Sequence, residues 1–403
     1  MDNAPKSSRG ALGLIFFIML MDIIGLLVLS PVAPYLVRRY SNAALSVTMI
    51  TVIYAAAQFF AAPLMGKLGD RYGRRPVLLI SILGQGIGYV IFGIGGGLWV
   101  LFLARMISGI TGGNLSTASA YIADISKPEE RAKNFTLIGI AWALGLILGP
   151  AVGSVFGTLA LEAPAYAAAV LSFLNVLLGF FILPESLPKE RRETTPMRFK
   201  DFNPIVTIFE MGHKPGLGWL LVISGLFNFG FNGISSTTSL FVIQKFNAQP
   251  WQVGSLLVSG GLALAVVQFL LIQRLVPRFG EKKLAIASLL GQAACVLATF
   301  YAPLLWLLYP INMLNNSMSG FTFPTLTTLN TNRVLHREVG SLMGVTTAIG
   351  SLMNIVGPLW AGVVFDRVMV GAPLWMGAVI FVLAAVMLTR VTVTQPKQTA
   401  FDH

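Results

Sequence analysis

"GKLGDRYGRRP", residues Gly66 to Pro76, holds five charges in eleven positions. Apolar runs flank it on both sides, in a chain of which only 11% of residues are charged. Gly69 and Gly73 permit tight turns and close backbone approach, and Pro76 suits the first turn of a following helix. The stretch therefore reads as a short charged connection between two apolar helices, and the rest of the chain decides what those helices are. Of its 403 residues 55% are hydrophobic, and the mean hydropathy is +0.76. A soluble core cannot hide that much apolar surface. Apolar runs of about twenty residues, enough to cross the roughly 30 Å hydrocarbon layer as helices, recur along nearly the whole chain. The expected class is an all-α membrane protein.

Twelve transmembrane helices are expected, near 11–36, 44–66, 76–95, 98–122, 134–158, 164–183, 216–243, 251–274, 283–301, 303–329, 339–365 and 371–391. The polar segment between the sixth and seventh holds Pro184, Pro188, Pro196, Pro204 and Pro215 among many charges, which suits a linker with a short surface helix at 201–211. The domains are then 1–183, an N-terminal six-helix bundle; 184–215, a cytoplasmic linker; and 216–403, a C-terminal six-helix bundle. The polar residues before Ala11 lack a clear cleavage site, so the first apolar run is read as a retained span. An even number of spans puts both termini on one side. Lys and Arg number 23 on that side and 4 on the other, so both termini are expected in the cytoplasm. The same bias accounts for the formal charge of +12, and nucleic acid is not an expected partner.

The halves repeat. "LGPAVG" at 148–153 lies 208 residues before "VGPLWA" at 356–361, and "KLGDRYGRR" at 67–75 lies 207 before "RLVPRFGEK" at 274–282. Gln58 has a counterpart in Gln268. Such spacing implies a duplicated six-helix unit in two pseudo-symmetric bundles. In the second copy Pro277 stands where Asp70 does, so the two halves do unequal work.

Asp22 is the carboxylate placed well inside a span, and a charge there needs a cavity or a partner. A site that alternates between wet and dry loads and releases a proton, so Asp22 is expected to carry protons or bind substrate; a structural pair is the other reading. Arg105, in the fourth span, is the matching cation, with structural pairing and direct function both open. Tyr54, Gln58, Asn114, Trp142, Asn228, Asn232, Gln268, Asn312, Asn316 and Asn354 are candidate cavity residues, with Phe227 and Asn315 beside them; interhelical hydrogen bonding is the alternative for each. His213, His336 and His403 fall outside the spans, and Cys295 is the single cysteine. No metal, no cofactor and no catalytic residue is expected, and no phosphate-binding loop points to ATP. The chain is not expected to be an enzyme.

Gly66 to Pro76 resembles the signature of the major facilitator superfamily between its second and third helices. Asp22, Gly25, Pro31 and Pro34 are similar to its first-helix pattern, and Arg105 with Gly109 and Gly113 to its fourth-helix arginine motif. Gly145, Gly149, Pro150 and Gly153 resemble the fifth-helix antiporter motif, although Thr136 and Ser154 stand where it has glycines. The resemblance covers essentially the whole chain and looks closest to drug/proton antiporters of the tetracycline-efflux type. It implies a gating role for Gly66, Asp70, Arg71, Gly73 and Arg74, with Asp124 completing a latch, and proton coupling through Arg105. It implies either close packing or a hinge for alternating access at the fifth helix. The expected function is a proton-coupled efflux antiporter for small lipophilic compounds; a metabolite symporter or uniporter on the same fold is the alternative. The expected partners are the small-molecule substrate, protons and the lipid bilayer. A monomer in a bacterial inner or plasma membrane is expected. Relatives of the tetracycline type commonly carry an acid near the ninth helix, whereas 283–301 has none, which points away from tetracycline itself.

Overall fold

The computed structural model describes residues 9–127, 130–192, 217–335 and 338–391, and every regular element in them is helical. The expected surface helix at 201–211 lies outside the described residues. The chain divides into two compact units. One is Met1–Arg198 with Val242–Val258, and the other is Phe199–Phe241 with Ser259–His403. Among the described residues, ten helical stretches are long and apolar enough to cross a membrane. They face outward with large apolar side chains: Phe60, Leu159 and Phe181 are each 77% exposed, as suits a surface solvated by lipid rather than water.

The first unit holds α1 (Arg9–Val28), α2 (Ala33–Arg38), α3 (Ala44–Tyr72), α4 (Arg74–Ile94), α5 (Leu98–Ile110), α6 (Asn114–Ile125), α7 (Arg131–Leu159) and α8 (Ala163–Ile182). Its closest helix partners are α1 with α7, α4 with α8 and α3 with α5. Two expected spans are interrupted. Pro31 cannot donate to Leu27, whose carbonyl instead accepts from the Ser30 N–H at 3.1 Å and the Ser30 Oγ at 2.6 Å, so the first span breaks before α2. The fourth span breaks at Thr111–Gly113. There the Thr111 Oγ1 donates to the Ile107 carbonyl at 2.9 Å, and the tandem glycines supply the freedom to restart as α6.

The second span also departs from expectation. α3 does not end at Gly66 but continues to Tyr72, so most of the charged stretch is helix rather than loop. The whole connection to α4 is Gly73, at φ +104°, whose N–H donates to the Gly69 carbonyl at 3.1 Å.

The second unit holds α9 (Leu217–Phe246), α10 (Pro250–Val266), α11 (Ile272–Phe279), α12 (Glu281–Tyr301), α13 (Leu308–Thr331), α14 (Val339–Arg367) and α15 (Ala372–Arg390), with α9 and α10 running through Val242–Val258 of the first. A π turn at Val267–Leu271 joins α10 to α11. The turn from α11 to α12 is again one glycine, Gly280 at φ +76°, 207 residues after Gly73. The duplication read from the sequence thus extends to backbone geometry. α12 packs mainly on α13 and α15. A buried polar seam joins the first pair: the Gln292 Nε2 donates to the Thr322 Oγ1 at 2.7 Å, and the Ser288 and Thr322 hydroxyls lie 2.8 Å apart. Two expected spans fall outside the ten. One is the broken α5–α6 pair, and the other is met by α13, whose asparagines and threonines lower its apolarity.

Candidate functional site

In the first unit, α1, α3, α4, α6 and α7 enclose a cleft with about 440 Å³ of empty space, its open mouth included. Asp22, Tyr54, Gln58, Asn114 and Trp142 line it, among Ile18, Met19, Ile23, Leu26, Leu78, Ile82 and Ala118. Glycines bring the backbones close enough to make it. A Cβ on Gly109 would lie 2.5 Å from the Tyr54 carbonyl, so α5 sits directly against α3. The Gln58 Nε2 donates to the Gly112 carbonyl at 2.7 Å and to the Tyr54 hydroxyl at 3.4 Å, tying α3 to the break in the fourth span. Asn114, at the start of α6, lines the cleft together with Asp22. The buried Asp22 Oδ1 finds no hydrogen-bond partner among the described residues.

Arg105 forms no ion pair with Asp22 among the described residues. Its guanidinium is buried over the Phe92 ring, 4.8 Å from the centroid, and its Nε lacks a hydrogen-bond partner there. Tyr54 and Tyr89 each lie within electrostatic range of both charges. Tyr89 is fully buried and donates to the Gln85 Oε1 at 3.3 Å. Sequence reading misses Tyr89 and Gln85, because a tyrosine and an amide in an apolar run look like ordinary core and interhelical hydrogen bonding.

At the end of α3 the Arg74 side chain gathers the charges. Its Nη2 donates to Asp70, its Nε to the Asp124 Oδ2 at 3.2 Å and its Nη1 to the Gly66 carbonyl at 3.3 Å. Gly69 lies beneath it, 3.1 Å from the Nη1 at the position a Cβ would take. Arg71 stays outside this group, exposed beside the Tyr72 ring. Sequence reading also misses Glu185, which passes for a solvated linker charge. Its Oε1 accepts the Arg74 N–H at 2.8 Å and the Ser186 and Leu187 N–H groups at 3.0 and 3.1 Å, placing a carboxylate on the N-terminus of α4.

The fifth-span glycines face α1. An added Cβ on Gly145 would collide with the Ile23 side chain, one on Gly149 would lie 2.6 Å from the Leu27 Cβ, and one on Gly153 would overlap the Val28 carbonyl. Gly157, one turn further on, continues the stripe against Val32. The Ser154 Oγ donates to the Pro150 carbonyl at 2.7 Å inside the same helix.

The second-unit candidates form separate groups. The Asn228 Nδ2 donates to the Ser224 carbonyl and the Asn232 Nδ2 to the Asn228 carbonyl, each at 2.8 Å. The Asn316 Nδ2 donates to the Asn312 carbonyl at 2.9 Å. The buried Asn315 Oδ1 has no hydrogen-bond partner among the described residues. Gln268 is exposed within the π turn, and Asn354 is partly buried on α14. Phe227 is packed among Phe231, Phe323 and Phe381 in an aromatic core.

The sequence profile of the Major Facilitator Superfamily matches residues 15–358 and 221–402. The class C tetracycline resistance protein of Escherichia coli is 33% identical over 384 residues, covering 94% of this chain and 95% of that one. Multidrug resistance protein 2 of Bacillus subtilis (strain 168) is 26% identical over 365 residues, covering 87% and 89%. The crystal structure of the human organic anion transporter MFSD10 (TETRAN) superposes with a TM-score of 0.70 at 25% identity, covering 94% of this chain and 99% of that one. These matches span most of each partner, through both units and through the cleft and the charged α3–α4 junction. The chain belongs to the Major Facilitator Superfamily, as a multi-pass membrane transporter of the drug-efflux type and not an enzyme.

Proposed function

We propose that this transporter is a proton-coupled efflux antiporter for small lipophilic compounds, working by alternating access, with Asp22 as its proton carrier. The observation that carries the reading is the placement of Asp22: a carboxylate in a mostly apolar cleft, beside Tyr54, Gln58 and Asn114, while Arg105 is held over Phe92. An acid so placed, with no ion pair among the described residues, can change protonation without breaking a salt bridge. Asp70, Arg74 and Asp124 act as a gate on the cytoplasmic side, with Gly66, Gly73 and the exposed Arg71 around them. Arg105 influences Asp22 through Tyr54 and Tyr89. The α7 glycines with Pro150 set the contact about which α1 and α7 move. The twelve spans form two bundles, 1–183 and 216–403, joined by a cytoplasmic linker at 184–215. Both termini lie in the cytoplasm of a bacterial inner membrane, and the protein acts as a monomer. The amides of the second unit add hydrogen-bonding capacity for substrate.

The test is transport in proteoliposomes with an imposed pH gradient, screened over lipophilic compounds. Asp22→Asn keeps size and polarity but cannot titrate, so gradient-driven accumulation is expected to vanish while exchange without a gradient survives. Accumulation at the wild-type rate in Asp22→Asn removes Asp22 as the carrier. Wild-type uptake along with protons, instead of exchange against them, moves the assignment to symport.

A further inference from the structure

The eighth span changes its winding partway, and its first-half counterpart does not. α3 runs unbroken from Ala44 to Tyr72, 29 residues, whereas Pro250 to Phe279 covers 30, as α10, the π turn Val267–Leu271 and α11. Both stretches close on a glycine, Gly73 and Gly280, and these lie 207 residues apart. Their starts, Ala44 and Pro250, lie 206 apart. The second copy therefore holds one residue more. A π turn closes i→i+5 bonds and takes in one residue more than an α turn, so the extra residue is absorbed there.

The two sides of this turn are held differently. α10 is seated on α13. A Cβ on Gly260 would lie 2.5 Å from the Asn316 Nδ2. One on Gly320 would lie 3.0 Å from the Leu264 Cδ1 and 3.1 Å from the Val267 Cγ1, so the seat reaches the first residue of the π turn. Val267 itself is 1% exposed. Past it the packing stops: Gln268, Phe269 and Leu270 are exposed, and no residue of α11 is buried. α11 packs chiefly on the π turn before it and on α12 after it. The matching end of α3 is fixed, with Gly69 buried and the Arg74 side chain bonded to Asp70 and the Gly66 carbonyl. In α11, Pro277 replaces the acid and also lacks an N–H, so both the latch and one helix hydrogen bond are missing.

We infer that the π turn at Val267–Leu271 is a hinge on which α11 bends while α10 stays seated on α13. A turn of irregular winding between an anchored segment and an unburied one is where a helix bends at least cost. Bending the same end of α3 would break the Arg74 contacts, so the duplicated units move unequally. The inference rests on the alternating access of the proposed function.

The experiment measures distances between pairs of nitroxide spin labels in the full-length protein in proteoliposomes, in acidic and in alkaline buffer. Cys295, the single cysteine, is first removed as Cys295→Ser. One pair, Gln273→Cys with Leu290→Cys, spans the hinge from α11 to α12. The other, Leu262→Cys with Leu290→Cys, joins α10 to the same point; all three sites are exposed. The Gln273 pair is expected to give a broad or two-peaked distribution that shifts with buffer, and the Leu262 pair a single narrow distance. A narrow, unchanging Gln273 distance overturns the inference, and so do two pairs that shift together. Deleting Gln268 restores 29 residues and lets α10 and α11 keep their faces in one continuous helix. That variant is expected to narrow the Gln273 distribution. It is also expected to export a lipophilic compound that the wild type exports in the screen above more slowly by on the order of tenfold, the scale of breaking one or two backbone hydrogen bonds to bend the helix. Export at the wild-type rate overturns the hinge. Where the deletion fails to insert, or the wild type exports no compound and the proposed function falls, the label distances in the undeleted chain decide.

Discussion

Gly73 is the residue where a single methyl group does most harm at the α3–α4 junction. Its φ of +104° disfavours any L side chain, and an added Cβ would collide with the Glu185 carboxylate. Gly280 occupies the equivalent turn at φ +76° with nothing within 4 Å. The pair separates strain from collision. Gly280→Ala is expected to cost about 1–2 kcal/mol from backbone conformation alone. Gly73→Ala is expected to cost more, because Glu185 must also leave the N-terminus of α4. The temperature at which detergent-purified protein loses its monodisperse peak checks both, and equal losses would show that the Glu185 contact adds nothing. The same scale shows what the residue pattern leaves hidden. Asp22, Tyr54, Gln58, Asn114 and Trp142 are legible because polar groups in apolar runs stand out. Tyr89 and Glu185 are not, since the first passes for core and the second for a solvated charge.

Helix interruptions are the elements that sequence reading passes over. Apolar run length fixes where a chain crosses a membrane, but not where the helix within a crossing stops and restarts. That depends on single groups: Pro31 with the Ser30 hydroxyl in one span, and Thr111 with Gly112 and Gly113 in another. Helix ends escape for a similar reason, as the charges of Lys67 to Tyr72 look like a loop yet continue α3. The α7 motif is legible in its glycines, and its packing gives a graded prediction. Gly153→Ala would drive a Cβ into the Val28 backbone carbonyl, which cannot swing aside, whereas Gly139 has nothing within 4 Å. Gly153→Ala is expected to abolish transport or insertion, and Gly139→Ala to leave both within about twofold, on the scale of a change that meets no neighbour. Transport per inserted molecule is the measurement.

Across the whole molecule the two halves close their ends by the same device. Arg75 donates to the Phe180 carbonyl at the end of α8. Lys282, 207 residues later, donates to the Thr389 and Val391 carbonyls at the end of α15, each at 2.8 Å. A cation on a helix C-terminus satisfies carbonyls that have no intrahelical donor. Lys282→Met keeps the stem and removes the donors, so it is expected to lower stability by about 1 kcal/mol, read as a lower aggregation temperature with transport chemistry unaltered. The duplication itself is legible in the repeated motifs; the capping is not, since neither partner carbonyl has a side-chain signature. The first half differs by drawing Glu185 and Arg192 back onto its α3–α4 turn, the Arg192 Nη2 lying 3.7 Å from the Glu185 Oε2. That clasp is built from residues encoded after the sixth span. During synthesis, then, Gly73 leaves the ribosome more than a hundred residues before the carboxylate that caps the turn beside it.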